Sequence, residues 1–148
     1  GMNNAYHITI IDPNGKAAGS FSLDRKQEVV TREQKQALFK SSRIPLKAVE
    51  GIVKNLPSQM CHFEGIEVHN GKLYVFVAGL GQQRKNRAVD IFSLDGKYMY
   101  RGVFDFGEDN TLLFSPFGNF RIVKDHLYVV LENEEGDVSV VKYKIVLP

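Results

Sequence analysis

Residues 61 to 69 hold the densest group of potential metal ligands in the chain: Cys61, His62, Glu64, Glu67 and His69. On a strand, side chains alternate between two faces, so His62 and Glu64 share one face and the other three share the opposite face. No face then offers three ligands at close spacing, and the HExxH pattern of zinc proteases is absent. We therefore predict no metal site, and we expect Cys61 to be a half-buried thiol rather than a nucleophile.

A basic loop occupies positions 79 to 87. It begins Gly79-Leu80-Gly81, but it lacks the third glycine and the following helix of a dinucleotide-binding fingerprint. Its cationic side chains have the chemistry to hold a carboxylate, a phosphate or an acidic glycan. No adjacent aromatic cluster could stack bases, so a nucleic-acid partner is not expected. The candidate ligand-binding residues of this loop are Gln82, Gln83, Arg84, Lys85 and Arg87.

An acidic segment at 132 to 137 contains Gly136, but it lacks the alternating aspartates and the closing glutamate of an EF-hand. The pattern predicts a charged hairpin, in which Glu132 and Glu134 are two further candidate ligand-binding residues. The chain has no Ser-His-Asp elbow, no defined pair of catalytic carboxylates and no phosphate-binding loop. We therefore predict a protein that is not an enzyme and that uses no cofactor.

Composition sets the class of protein that must position these residues. The chain has 148 residues, is 43% apolar and carries a formal charge of +2, which is typical of a single folded domain and implies no obligatory polyanion or membrane surface. The longest apolar run, Leu73 to Ala78, has six residues, far fewer than the roughly 18 that a membrane span needs.

Most of the chain shows the signals of short strands joined by turns. The dipeptides Asn14-Gly15, Asn70-Gly71 and Asp95-Gly96 adopt positive φ at little cost, and each lies between apolar or alternating runs, which is typical of hairpins. The predicted strands are 5–12, 17–23, 62–69, 72–78, 87–94, 97–106, 118–124, 126–132 and 137–146.

The segment from Asp24 to Gly51 interrupts this pattern with helical character. Thr31 followed by Gln34 matches a capping box and predicts a helix near 32–41. Pro45 suits a first helical turn and Pro57 blocks continuation, so a second helix is expected between them and should pack on the sheet. Its apolar face consists of Leu46, Val49, Ile52, Val53 and Leu56.

A loose internal repeat organises the rest of the sequence. Leu73-Tyr74-Val75 recurs 54 positions later as Leu127-Tyr128-Val129, and the segment 89–97 is matched 52 positions later by 141–145. The segment 8–16 also resembles 89–97, but Gly15 and Gly96 lie 81 positions apart, which is one period plus 27. The helical segment accounts for the extra residues.

A unit of about 50 residues that holds four antiparallel strands is typical of a β-propeller blade. With its motifs at 66–75 and 89–99, the chain resembles the six-bladed propellers of the NHL and TolB-like kind. The resemblance implies an all-β fold of antiparallel four-stranded blades with a short two-helix insertion, within one domain at 2–148. It divides the chain into the outer strands of one blade at 5–23, the insertion at 25–57, a complete blade at 62–106 and three strands of the next at 118–146.

The resemblance also implies a non-catalytic module that recognises a protein or extracellular ligand and that is exported or associated with the cell envelope. Six blades of about 54 residues would need roughly 320 residues, so the ring cannot close within this chain. We therefore expect a fragment of a longer propeller or a self-associating protein, because exposed edge strands such as 5–12 and 137–146 invite pairing. The rival hypothesis is a small β-barrel or sandwich that binds an apolar molecule under a helical lid.

Overall fold

The computed structural model describes residues 5–39, 44–79, 85–112 and 120–147. About 50% of the chain is strand and 13% is helix. The helices are α1 (Arg32–Ala37) and α2 (Leu46–Asn55). The strands are β1 (His7–Ile11), β2 (Ala17–Ser22), β3 (Phe63–His69), β4 (Lys72–Val77), β5 (Asn86–Ser93), β6 (Tyr98–Asp105), β7 (Asn110–Leu112), β8 (Phe120–Val123), β9 (His126–Asn133) and β10 (Val138–Lys144).

All nine predicted strands are present, and the three predicted hairpin glycines adopt positive φ: Gly15 (80°), Gly71 (68°) and Gly96 (86°). The short strand β7 was not predicted. It lies on the same side of β9 as β8, and it pairs with the end of β9 whereas β8 pairs with the beginning. β7 and β8 therefore act as two pieces of one interrupted strand.

The strands form three separate antiparallel sheets within the described residues. The hairpin sheet contains β1 and β2, the central sheet has the order β3-β4-β5-β6, and the C-terminal sheet contains β7 to β10. No closed barrel forms among these strands, so the barrel alternative is wrong. Four-stranded antiparallel sheets are confirmed.

The central sheet is covered on both faces. On one face Leu73, Val75 and Phe92 pack against Tyr6 and Ile8 of the hairpin side. On the other face the core includes Tyr74, Phe76, Val89 and Ile91, which pack with Leu112, Ile122, Leu127, Val129 and Leu131 of the C-terminal sheet. Burial on both sides explains why β4 is an almost uninterrupted apolar run rather than an alternating one.

The sequence repeat is also a structural repeat. Leu73 faces the hairpin sheet that precedes the central sheet, and Leu127 faces the central sheet that precedes the C-terminal one, so successive sheets stack in the same sense. Leu73 of β4 pairs with Phe92 of β5, and Leu127 of β9 pairs with Tyr143 of β10. The equivalent residues of β5 and β10 are therefore 51 positions apart, rather than the predicted 52. One residue matters, because a shift of one turns every side chain to the opposite face.

Equivalent turns of the two repeats lie side by side. Asn70 (φ 47°) and Gly71 (φ 68°) form the β3–β4 turn, and Lys124 (φ 47°) and Asp125 (φ 59°) form the β8–β9 turn 54 positions later. Asn70 Nδ2 donates to Asp125 Oδ1 at 2.6 Å, and the backbone N–H of Asp125 donates to His69 Nε2 at 3.2 Å. These bonds hold the two sheets in register at one end.

The predicted helical insertion is present. The capping box at Thr31 and Gln34 is confirmed, because each side chain accepts a hydrogen bond from the backbone N–H of the other residue. Helix α2 packs mainly against α1 rather than on a sheet, which corrects the prediction, and Lys35 Nζ donates to the carbonyl of Leu56 at 2.8 Å. No helix among the described residues is long and apolar enough to cross a membrane.

Gly65 marks a close approach between the central and C-terminal sheets. A Cβ atom at this position would clash with the ring of Phe120, which stacks on Phe76 with centroids 3.8 Å apart. We expect Gly65→Ala to lower the free energy of unfolding by about 1 to 3 kcal/mol, because an overpacked core must shift its rings.

Urea unfolding of Gly65→Ala measures this loss. The double variant Gly65→Ala with Phe120→Leu is the control, since the smaller side chain frees the space that the added methyl needs. The double variant should be more stable than the two separate losses predict. Simple addition of the two losses would contradict the proposed clash.

Candidate functional site

The predicted ligand-binding residues fall at one rim of the stacked sheets, as far as they are described. Lys85 immediately precedes β5, and Arg87 lies at its start. Glu132 lies near the end of β9, and Glu134 lies in the turn before β10. Gln82, Gln83 and Arg84 lie outside the described residues. The two loops are neighbours, because Lys85 Nζ donates to the carbonyl of Glu108 and β7 pairs Asn110 with Asn133.

Arg87 is an anchor within this rim. Its side chain is only 4% exposed and forms an ion pair with Glu64, and its Nη1 donates to the carbonyl of Val77 at 3.1 Å. Glu64 sits at an irregularity in the pairing of β3 with β4. The positive charge of Arg87 is therefore balanced within the protein.

The most buried charged group of the described residues is Asp90, at the middle of β5, which is 0% exposed. Tyr6 Oη donates to Oδ2 at 2.9 Å, and Arg25 Nη1 donates to Oδ2 at 2.7 Å. Arg101 makes a two-point contact, with Nε to Oδ1 at 2.8 Å and Nη2 to Oδ2 at 3.1 Å. One carboxylate thus joins the hairpin sheet, the start of the helical insertion and strands β5 and β6.

The cluster controls the protonation of its members. Burial by itself raises the pKa of Asp90, but hydrogen bonds from Arg101, Arg25 and Tyr6 outweigh burial and hold this pKa below its usual value. Burial and the adjacent Asp90 charge raise the pKa of Tyr6, so the phenol remains a hydrogen-bond donor. The hydrogen bond to Asp90 raises the pKa of Arg101. Asp90 is therefore ionised, and its partners are fixed donors.

A cleft of about 170 Å³ opens beside this cluster. It lies where β4 ends and β5 begins, and Arg101 forms part of its wall. The Arg101 guanidinium donates two hydrogen bonds to Asp90, which fix its orientation. The Arg101 side chain nevertheless remains 38% exposed. The lining residues are Glu28, Val77, Ala78, Gly79, Asn86, Arg87, Ala88 and Arg101.

The Asp90 cluster by itself leaves a small positive excess beside the cleft. Asp90 is one negative charge shared by two arginines, and Arg87 is balanced by Glu64. Glu28 also lines the cleft, and its charge opposes this excess. The arrangement suits one small acidic group that reaches Arg101, rather than a large anionic surface.

Cys61 and His62 precede β3 at the same rim. Burial raises the pKa of the Cys61 thiol, and the adjacent Glu64 charge raises it further, so the thiol stays protonated and weakly nucleophilic. His62 is 6% exposed, and its ring centroid lies 5.8 Å from that of Tyr6. Within the described ranges, no group of three histidine, cysteine or acidic side chains could hold a metal ion.

Sequence reasoning missed the Asp90 cluster. The available signal was an acidic residue between Val89 and Ile91 in a strand expected to be buried, because a charge is rarely fully buried unless it is paired. Its partners could not be named from spacing, since Tyr6 and Arg25 are 84 and 65 positions away.

Comparisons of the chain with protein-family models, with curated proteins and with solved structures find no match.

Proposed function

We propose that this chain is a segment of a six-bladed β-propeller of the NHL or TolB-like kind and that it acts as a non-catalytic recognition module. The observation that supports this most is the stacking of three antiparallel sheets in the same sense, with Leu73 and Leu127 in equivalent positions. Propeller blades stack face to face in this way around an axis. Export or association with the cell envelope belongs to the same proposal and rests on the family resemblance alone.

The proposed recognition site is the rim cleft, and its proposed ligand is an acidic side chain of a partner protein. The volume of about 170 Å³ is below the roughly 300 to 1,000 Å³ typical of pockets that enclose whole small molecules. A single carboxylate-bearing side chain is of suitable size. Arg101, held in place by Asp90, would donate to it.

The apolar-carrier alternative is not favoured by this cleft. The cleft is lined by four polar or charged residues, Glu28, Asn86, Arg87 and Arg101. An apolar ligand would displace water from these groups and could not replace the hydrogen bonds that the water makes.

Titration of the ¹⁵N-labelled chain with a capped peptide, acetyl-Gly-Glu-Glu-Gly-amide, tests the proposal. We expect concentration-dependent shifts of the backbone amides of Gly79, Asn86 and Arg101. The matched peptide with glutamine in place of glutamate should leave these amides unchanged, because it lacks the charge that Arg101 recognises.

Two variants sharpen this titration. Ala88→Leu should abolish the shifts by filling the cleft, and Glu28→Gln should tighten binding by about two- to fivefold by removing the opposing charge. Equal responses to both peptides, or shifts that survive Ala88→Leu, would show that the cleft is not the recognition site.

A further inference from the structure

Val103 of β6 carries an exposed apolar side chain beside the rim cleft. It is 62% exposed, and it pairs with Ala88, which lines the cleft. Directly paired residues of an antiparallel sheet point to the same face. The register places Val103 three positions before Phe106, whose N–H donates to the Lys85 carbonyl at 3.0 Å. Ala88 and Val103 are therefore a pair without hydrogen bonds between their backbones.

The absence of backbone hydrogen bonds within this pair brings its two side chains close together. In antiparallel sheets such pairs have their Cα atoms about 4.5 Å apart, against about 5.5 Å in hydrogen-bonded pairs. Val103 therefore continues the apolar floor that Val77 and Ala88 form inside the cleft.

Arg101 lies on the same face of β6, two positions before Val103. It pairs with Asp90 and lines the cleft, and its side chain is 38% exposed. Residues two apart on a strand are separated by roughly 6.6 Å. Strand β6 thus presents a cation and an apolar side chain at the spacing of alternate strand residues.

This surface stays open in a complete propeller. Phe21 of β2 lies against Gly96 in the turn before β6, so β2 and β6 are the outer strands of neighbouring blades. Ile8 of β1 packs with Leu73 and Val75 of β4. Further inner strands of the hairpin blade would adjoin β1 and cover β3, while a strand added beside β10 would lie on the opposite face of the central sheet. Neither addition would cover Val103.

We propose that the partner segment bound at the rim cleft is extended, with an acidic side chain on Arg101 and an apolar side chain two positions away on Val103. This inference rests on the proposed function of the cleft and specifies the partner that the cleft recognises. An extended segment repeats its side chains on one face every two residues, which matches the spacing of Arg101 and Val103. A residue next to the acidic one points to the opposite face and misses Val103.

Three peptides with one glutamate each test this spacing. The spaced peptide, acetyl-Gly-Leu-Gly-Glu-Gly-Leu-Gly-amide, has leucine two positions from glutamate on both sides, so it serves for either chain direction. The adjacent peptide, acetyl-Gly-Gly-Leu-Glu-Leu-Gly-Gly-amide, has the same composition. The glycine peptide, acetyl-Gly-Gly-Gly-Glu-Gly-Gly-Gly-amide, lacks the apolar side chains. Titration of the ¹⁵N-labelled chain gives a dissociation constant for each.

We expect the spaced peptide to bind about fivefold more tightly than either of the other two, because only its leucine is buried against Val103. The spaced peptide should also shift the backbone amide of Val103, in addition to those of Asn86 and Arg101.

Two variants at equally exposed valines locate the apolar contact. Val103→Ala should reduce the preference for the spaced peptide to less than about twofold, because it removes most of the apolar surface. Val68→Ala is the matched control, since Val68 of β3 is 60% exposed and lies in the same sheet. It should leave the preference unchanged.

The outcomes separate this inference from the proposed function. Equal binding of the spaced and adjacent peptides, or a preference that survives Val103→Ala, would overturn the inference alone, provided that binding still requires glutamate. A version of the spaced peptide with glutamine in place of glutamate checks that requirement. If it binds as tightly as the spaced peptide, both the inference and the proposed recognition of an acidic group are wrong.

Discussion

Asp90→Asn is expected to lower the free energy of unfolding by about 3 kcal/mol, because it leaves two arginines beside a buried site that no longer carries the balancing charge. The loss falls at the lower end of the range for buried ion pairs, since the side chains of Arg25 and Arg101 are 25% and 38% exposed and can recover some hydration. The amide also cannot accept all the hydrogen bonds that Tyr6, Arg25 and Arg101 donate.

Urea denaturation monitored by circular dichroism measures this loss. Asp109→Asn is the matched control, since Asp109 is exposed, and its free energy of unfolding should stay within about 0.5 kcal/mol of the wild-type value. A cost below about 1 kcal/mol for Asp90→Asn would mean that the cluster does not hold the sheets together.

The same variant has a defined pH dependence. The folded-state pKa of Asp90 lies below the ordinary value of 3.8, so its contribution to stability is complete above that value. The contribution is lost as the pH falls through the lowered folded-state pKa. The difference in stability between wild type and Asp90→Asn should therefore be constant near neutral pH and should narrow in acid. A difference that grows in acid would contradict the assignment of an ionised Asp90.

Leu127→Ala is expected to lower the free energy of unfolding by about 3 kcal/mol. Leu127 is 0% exposed and lies in the core between the central and C-terminal sheets. Truncation removes apolar contact and leaves a cavity between two sheets whose backbones are held by their own hydrogen bonds, so the space cannot fully close.

Thermal and urea unfolding of Leu127→Ala should show one cooperative transition at a lower midpoint, because the central sheet shares its two cores with both neighbours. Val103→Ala is the control on an exposed position of β6, with an expected change within about 0.5 kcal/mol. Two separate transitions in the wild type would instead indicate that the sheets unfold independently.

Asp90→Asn and Leu127→Ala test contacts on opposite faces of the central sheet. Asp90 faces the hairpin side, where polar bonds accompany a small apolar core, while Leu127 packs on the side of the C-terminal sheet. The rim cleft draws its lining from the central sheet, which shares both cores, and from Glu28 of the helical insertion.

Much of the secondary structure follows from the sequence because its causes are local. Asn70-Gly71 forms a turn because both residues tolerate positive φ, and Thr31 begins a helix because its hydroxyl accepts a nearby backbone N–H. The period of 54 between Leu73 and Leu127 likewise predicted two equivalent strands. These signals act over a few residues or repeat in the chain itself.

Other features depend on residues that only the folded chain brings together. The offset of the third strands is set by pairing of Leu127 with Tyr143, and the small strand β7 exists because β9 offers it an edge. Helix α2 has an apolar face that fits either a sheet or a helix, and tertiary packing selects α1. Periodicity specifies which face is buried but not what covers it.

In the candidate site, too, some features follow from local sequence and others depend on the folded chain. The sequence alone identified Lys85 and Arg87 as cations near a strand end, because charge and turn position are readable locally. Only the tertiary structure determined that Arg87 is balanced by Glu64, and that Asp90 gathers groups from 11, 65 and 84 positions away. Electrostatic pairing depends on distance in space and on exclusion of water, and neither quantity exists until the sheets have packed.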